Sequence, residues 1–175
     1  MINAYRKIYQ FGSKPILDIL RASVIIEEKI DGSQLSFRLN PDTGELEFRS
    51  KNRQMDSDKP GIFKSAIENI QKVKHLLNPN YTYIGEYVSK PKHNVLEYGR
   101  VPLNDVMIFD IRNCLDDNDS LLSHTDKSVA AHRIGFETVP LLFSGQLSGE
   151  GFGALKKELL EKQSVLGGCN RRVCC

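Results

Sequence analysis

No stretch of this chain approaches the length of uncharged apolar sequence needed to cross a bilayer. The opening residues, Met-Ile-Asn-Ala-Tyr-Arg-Lys, lack an apolar core followed by small residues, so no secretory signal is read there and the expected location is cytosolic. Paired Cys-x-x-Cys or Cys/His spacings are missing, which argues against a zinc site. The four cysteines sit at Cys114, Cys169, Cys174 and Cys175, and the last three predict a frayed, reduced terminus. A large excess of positive charge is missing too: the formal net charge is +2. Any polynucleotide contact must therefore come from a local patch. No linker or internal repeat divides the chain.

What is present is ordinary for one folded domain. The chain has 175 residues, 40% hydrophobic and 26% charged, enough to bury a core. Residues 22–28 form a β-branched run that reads as a strand. Residues 34–39 alternate polar and apolar, residues 40–44 (Asn-Pro-Asp-Thr-Gly) are dense in turn formers, and residues 45–49 alternate again. That pattern is a hairpin. Ile62, Phe63, Ala66, Ile67, Ile70, Val73 and Leu77 recur at helical steps, and Asn78-Pro79-Asn80 stops the helix. Residues 81–88, 105–111 and 138–143 read as three further strands. A helix capped by Asp126 runs through Ile134 to Gly135, and a last helix covers residues 151–163. Helices mixed irregularly with hairpin-connected strands predict an α+β fold with a largely antiparallel sheet.

The informative cluster is Glu27-Glu28-Lys29-Ile30-Asp31-Gly32-Ser33, a lysine at the end of an apolar strand, flanked by acids and followed by a glycine turn. Read plainly, it is an edge-strand lysine paired to a neighbouring carboxylate. Read chemically, it is a covalent nucleophile. An amine with an ordinary pKa of about 10.4 is protonated and inert at neutral pH, and burial near other cations frees its lone pair.

Lys29-Ile30-Asp31-Gly32 resembles the Lys-x-Asp-Gly signature of the covalent nucleotidyltransferases: DNA ligases, RNA ligases and mRNA capping enzymes. Three later segments follow in that family's order. Phe48-Arg49-Ser50-Lys51-Asn52-Arg53 resembles its Ser-Arg-Asn segment, with Lys51 where an arginine is usual and Arg53 as the alternative phosphate-gripping fork. Tyr83-Ile84-Gly85-Glu86-Tyr87 matches the segment whose glutamate accepts from ribose, which assigns Glu86 that role. Asp105 to Ile111 matches the strand that stacks an aromatic ring on adenine, here Phe109, with Asp110 near metal or lysine.

The likeness is nearest to the second phage-type family of ATP-dependent RNA ligases, which act in RNA repair on nicks and ends of structured RNA. It implies an ATP-grasp-like adenylation domain that uses ATP and Mg2+ or Mn2+, forms lysyl-AMP on Lys29, and joins RNA 5′-phosphate and 3′-hydroxyl ends. By the same resemblance Glu28 reads the adenine edge, although strand alternation puts Glu27 on the lysine's own face. Asp31, Ser33 and Gln34 fall on pocket-lining positions, and Gly32 lets the backbone turn close beside phosphate. The basic loop of residues 89–102, with Lys90, Lys92 and Arg100 around Tyr98, is the expected RNA contact.

The likeness runs from about residue 20 to residue 168. Members of the family continue with a Glu-Gly-x-Val-x-Lys strand and further lysines that hold phosphate, whereas Cys169 to Cys175 follow here. Glu150-Gly151-Phe152 with Lys156 is no substitute, because Leu155, Leu159 and Leu160 keep helical spacing. The expectation is a C-terminally incomplete domain over residues 1–168, with a Cys/Arg tail over 169–175. The competing readings are a catalytically impaired nucleotide- or RNA-binding remnant, and a DNA ligase adenylation domain.

Overall fold

The computed structural model describes residues 1–115, 120–168 and the backbone of 173–174. The described strands form two sheets. The larger has six strands. Strand β2 (Ser33–Leu39) pairs antiparallel with β3 (Leu46–Ser50) on one side and β5 (Tyr81–Tyr87) on the other. Outside them lie β4 (Gln54–Met55), β6 (Val106–Asn113) and β7 (Glu137–Thr138), giving the order β4-β3-β2-β5-β6-β7. Among the described residues only the β6–β7 edge is parallel. The smaller sheet sets β1 (Val24–Glu28) between β8 (Leu141–Gly145) and β9 (Val173–Cys174), all antiparallel. The expected α+β class and largely antiparallel sheet are what the structure has.

Alternation along the strands builds the main core. Leu35 and Phe37 of β2, Phe48 of β3 and Tyr83 and Tyr87 of β5 face α1 (Lys64–Lys72) and α2 (His124–Arg133). Phe37 stacks on Tyr83 with ring centroids 5.2 Å apart. From α1, Ala66, Ile67 and Ile70 fill this layer. A smaller cluster of Val24, Ile26, Phe152 and Leu159 packs α3 (Gly149–Glu161) on the lesser sheet.

The structure amends four sequence expectations. The helix through residues 62–77 is α-helical only over α1. Gly61–Phe63 and Lys74–Leu76 are 3₁₀ turns, which tighten the ends while keeping Phe63 and Leu77 in the core. The cap of α2 is Ser123, whose Oγ accepts from the Asp126 amide at 3.1 Å and donates to the Asp126 carboxylate at 2.7 Å. Asp126 is therefore the first-turn partner of the cap. The strand expected over 138–143 is two strands in different sheets, because Pro140 has no N–H to continue a ladder. At that break Val139 donates to the Ile108 carbonyl of the large sheet and the Pro140 carbonyl accepts from Glu28 of the small one. Finally, Val173–Cys174 pairs with β1 instead of fraying, while Cys169, Arg171, Arg172 and Cys175 lie outside the described residues. Among the described residues no helix is long and apolar enough to cross a membrane.

Phe37 is wholly buried at the centre of the large sheet, against Tyr83 and Phe136. Its truncation in Phe37→Ala is expected to lower stability by about 3–5 kcal/mol. Urea denaturation followed by circular dichroism checks this, with a loss under about 1 kcal/mol contradicting the assigned core.

Candidate active site

Residues 29–32 link β1 of the small sheet to β2 of the large one. Ile30 is buried at 1% exposure among Val88, Met107 and Val139, which pins the crossing and leaves its neighbour Lys29 exposed on the cleft side. Gly32 has no room for a side chain, because a Cβ there would stand 2.5 Å from the Tyr87 carbonyl oxygen. The glycine therefore serves the close approach of β5 to the corner.

One loop, residues 89–102, locks this corner. The Asp31 amide donates to the Tyr98 hydroxyl (2.6 Å), and the Asp31 carboxylate accepts from the amides of Val95 (2.9 Å) and Leu96 (3.0 Å). Asn94 Nδ2 donates to the Gly32 carbonyl (2.6 Å), and His93 Nε2 shares a hydrogen bond with Ser33 Oγ (3.0 Å). Burial, with Lys90 nearby, holds His93 below its ordinary pKa, so it meets Ser33 as a neutral ring. Tyr98 is buried at 3% exposure beside Ile30 and Leu166, so the aromatic expected on an RNA-facing surface is a core residue. Arg100 makes a bidentate pair with Glu137 (2.7 and 2.9 Å) that ties the loop to β7. Lys90 and Lys92 are exposed on the loop.

Lys29 stands where two adjoining chambers meet, of about 510 and 1160 Å3. Glu86 and Phe109 line both with it. The first chamber adds Glu27, Glu28, Asp110, Lys127 and apolar side chains including Ile25 and Val139. The second adds Gly32, Ser33, Gln34, Lys51 and Lys156. Residues far apart in sequence, at 29, 51, 86 and 109, thus converge on one space. Arg53 lines neither chamber. It is exposed and closes a turn in which its carbonyl accepts from the Ser50 amide.

A bulge sets the floor of the first chamber. Between β5 and β6 the register slips, with Ile84 opposite Asp110 and Gly85 opposite Ile108. The extra residue, Phe109, lets two successive side chains reach the cleft, where strict alternation would send one into the core. Gly85 permits it, since a Cβ there would meet Val106 Cγ1 at 2.6 Å and the Met107 carbonyl at 2.8 Å.

Glu86 is the electrostatic outlier. Burial pushes its carboxyl up to about 7, with Asp31 adding to the rise and Lys29 and Lys51 opposing it. Its Oε2 is buried without a hydrogen-bond partner among the described residues, an acceptor left open toward the cleft. Asp110 is also raised by burial, against the pull of the Tyr5 hydroxyl, which donates to it, and of Lys127. Glu28 is 2% exposed, and its carboxylate accepts from the Ser164 hydroxyl and the Val165 amide.

Sequence reasoning missed three contributors. Lys127 of α2 is buried, donating to Glu27 (2.6 Å) and to the Phe109 carbonyl (2.7 Å), while His124 Nδ1 shares the same Glu27 oxygen (2.6 Å). It thereby fixes the backbone of Phe109. The N-terminal segment crosses the polar face of the large sheet, where the Asn3 and Ala4 carbonyls accept from Arg112 and the Tyr5 ring sits edge-on to Phe109. It goes on to line both chambers with Arg6 and Lys7. Lys156 lies one turn beyond Phe152 on α3, and both reach the second chamber. The helical spacing of residues 151–163 is legible, but nothing local says which face of that helix meets the cleft.

A model of the RNA ligase family matches residues 22–169. No curated protein sequence matches. Among solved structures, a lysine-to-alanine mutant of Naegleria gruberi RNA ligase with ATP and Mn superposes with a TM-score of 0.71 at 14% identity, over 98% of this chain and 52% of that one. The same organism's RNA ligase with PPi gives 0.68 at 15%, over 98% and 51%. A glutamate-to-alanine mutant of it with AMP and Mn gives 0.70 at 15%, over 98% and 52%. This chain spans about half the length of those structures.

Two outcomes test the site. Because Glu86 sits above its ordinary carboxyl value, the stability it contributes is full below about pH 4.5 and is lost as pH rises through about 7. Between about pH 5 and pH 8 the wild type should lose more stability than Glu86→Gln, by at most about 3 kcal/mol before solvent screening. Denaturation at the two pH values reads it, and parallel losses in both proteins would refute the assignment. Tyr98→Phe leaves the Asp31 amide without its acceptor, a local cost of about 1–3 kcal/mol. Hydrogen exchange should quicken at Asp31 to Ser33 while Leu35 and Phe37 stay protected, and unchanged exchange at the corner would contradict the latch.

Proposed function

The chain belongs to the RNA ligase family, and from that premise we propose that it is an ATP-dependent RNA ligase of the second phage-type kind whose Lys29 carries AMP. The observation that supports this most is the convergence of Lys29, Lys51, Glu86 and Phe109 on one cleft from four separated segments. A nucleophile, a phosphate-directed cation, an open acceptor and a half-buried ring are the parts that a bound ATP calls for.

The chemistry runs in three transfers. The unprotonated Lys29 amine attacks the α-phosphorus of ATP, forming a P–N bond as the P–O bond to pyrophosphate breaks, and the ammonium proton is lost to solvent. A 5′-phosphate oxygen of RNA then attacks the same phosphorus, returning the lysine and leaving an adenylylated RNA end. Finally an RNA 3′-hydroxyl attacks the 5′-phosphorus, closing the phosphodiester and releasing AMP. Lys29 faces the shared mouth of both chambers, which suits a group that must meet ATP first and an RNA end second.

Each side chain has a stated part. Phe109 stacks on adenine, its backbone held by Lys127. The Glu86 carboxyl takes a ribose hydroxyl through its unpartnered Oε2, which is the stronger acceptor in the ionised form that rising pH favours. Lys51 neutralises phosphate, with Arg53 as its less well placed neighbour. Glu28 and Gly32 act through the backbone at the corner, since the Glu28 carboxylate is engaged by Ser164 and Val165 and Gly32 is pressed against β5. Asp31 holds the loop that fixes Lys29. Lys90 and Lys92 remain candidates for contact with RNA beyond the cleft, whereas Arg100 is occupied by Glu137.

Among the described residues no group of three or more His, Cys, Asp or Glu could hold a metal alone. The Asp110 carboxylate on the first chamber does fit Mg2+ or Mn2+, ions that are bound by one or two carboxylates together with substrate phosphates. Such an ion would supply positive charge to the triphosphate as pyrophosphate leaves.

Intact mass after incubation with ATP and magnesium is the test. Wild type is expected to gain one AMP, Lys29→Ala to gain none, and GTP to give no adduct. A wild type that stays unmodified across a range of pH and of divalent metal would reject the ligase reading in favour of a binding role.

A further inference from the structure

The two chambers that share Lys29 differ sharply in charge. The first balances four cations, Arg6, Lys7, Lys29 and Lys127, against four acids, Glu27, Glu28, Glu86 and Asp110. The second gathers Arg6, Lys7, Lys29, Lys51 and Lys156 around a single acid, Glu86. A mostly apolar, charge-balanced space suits a nucleoside. A larger space lined by five cations and one acid suits a polyanion.

That second chamber is also rich in exposed aromatic surface. Tyr9 and Phe11 are exposed on the N-terminal segment, Phe11 stacks on Phe152 of α3 with centroids 4.3 Å apart, and the Lys7 ammonium lies 5.0 Å from the centre of the Tyr9 ring. Cations that track a backbone, interleaved with rings on which bases can stack, are the two requirements for holding a single nucleic-acid strand. The free nucleotide needs only the first of them. A triphosphate has no base to lay on Tyr9 or Phe11 while its own adenine sits in the other chamber.

We propose that the second chamber is the seat of the RNA 5′-phosphate end, gripped between Arg6 and Lys7 on one wall and Lys156 of α3 on the other. This rests on the ligase reading for the identity of the polyanion, and it moves the principal RNA contact from the 89–102 loop to this cleft. The placement is chemically apt. A 5′-phosphate in the second chamber stands beside Lys29, which lines both chambers, so its oxygen is within the space where it must attack the α-phosphorus as the P–N bond to lysine breaks.

The test uses the 175-residue chain and a fluorescent single-stranded RNA of about 12 nucleotides, with either a 5′-phosphate or a 5′-hydroxyl, read by anisotropy across a salt series. Lys156→Ala, and the double change Arg6→Ala with Lys7→Ala, should each weaken binding of the 5′-phosphate RNA about fivefold and flatten the salt dependence by about 0.7 in log–log slope for each phosphate-bound cation removed. The 5′-hydroxyl RNA should bind the wild type more weakly than its phosphorylated twin, and Lys156→Ala should change it less. Labelled ATP is titrated in parallel. Equal losses for ATP and RNA would overturn the inference by giving the wall to the triphosphate. Unchanged RNA binding in both variants would overturn it as well, as would a larger loss from the double change Lys90→Ala with Lys92→Ala. A wild type that forms no lysyl-AMP yet binds 5′-phosphate RNA through Lys156 would leave this site standing while the ligase reading fell.

Discussion

The corner at residues 29–32 hangs between two sheets, and everything proposed for Lys29 depends on its being held still. A four-residue crossing with one buried side chain would otherwise be free to swing. The hydrogen bonds that Asp31, Gly32 and Ser33 make with residues 93–98 remove that freedom. They do so through two backbone amides, the Asn94 and His93 side chains and the hydroxyl of the buried Tyr98, so less entropy remains to be lost when substrate arrives. The carboxylate of Asp31 faces the loop amides, and the acid nearest Lys29 in sequence on that side is consequently engaged in structure. What acidity the cleft presents to a ligand is left largely to Glu86 and Asp110.

Those two acids share a property. Both are raised by burial, and both lie beside cations that pull them back, Lys29 and Lys51 for Glu86 and Lys127 for Asp110. A carboxyl whose pKa burial raises costs less to bury than a fixed charge and still becomes a full acceptor when a cation or hydroxyl comes close. The bulge in β6 is what brings the pair to the same space. With one extra residue it turns Phe109 and Asp110 to the cleft together and opposite Gly85, where any side chain would collide with Val106 and Met107. Lys127 then stitches the bulged backbone to Glu27 across the floor of the first chamber. The aromatic face and the acids are positioned by backbone geometry more than by side-chain packing.

The sequence made local order easy to read wherever a periodic pattern governed it. The β2–β3 hairpin, α1 around Ala66, Ile67 and Ile70, the strand before Lys29 and the strand ending in Glu86 all fall where alternation or helical spacing puts them. Features set by tertiary contact were illegible. Nothing in Thr138 to Phe143 announces that the chain changes sheets at Pro140, because either half of the segment is a plausible strand alone. The bulge at Phe109 has no sequence mark, since it arises from the match of β5 to β6. Tyr98 looks like a surface aromatic in a basic loop, and its burial follows only once Ile30 and Leu166 close on it. Lys127 sits on the weakly amphipathic α2, where a lysine facing inward cannot be told from its solvated neighbours.

Charge supply to the cleft shows the same division between pattern and position. A search by motif looks for phosphate-binding lysines on a strand of defined pattern and passes over Lys156, because its neighbours are helical. The helix is real, yet one turn from Phe152 its exposed face opens on the second chamber. An electrostatic field depends on where a cation stands and on how much water separates it from its target, and the secondary structure beneath it is immaterial. A short N-terminal strap and the first turns of a late helix can therefore furnish charge that a regular strand would furnish elsewhere, provided both are anchored. The strap is anchored by Arg112, Gln54 and Asp110, which take up residues 2–5, and the helix by Phe152 and Leu159 in the small core. With those fixed points the backbone that carries the cations is held beside the cleft, and a polyanion entering it meets charge whose attachment is already ordered.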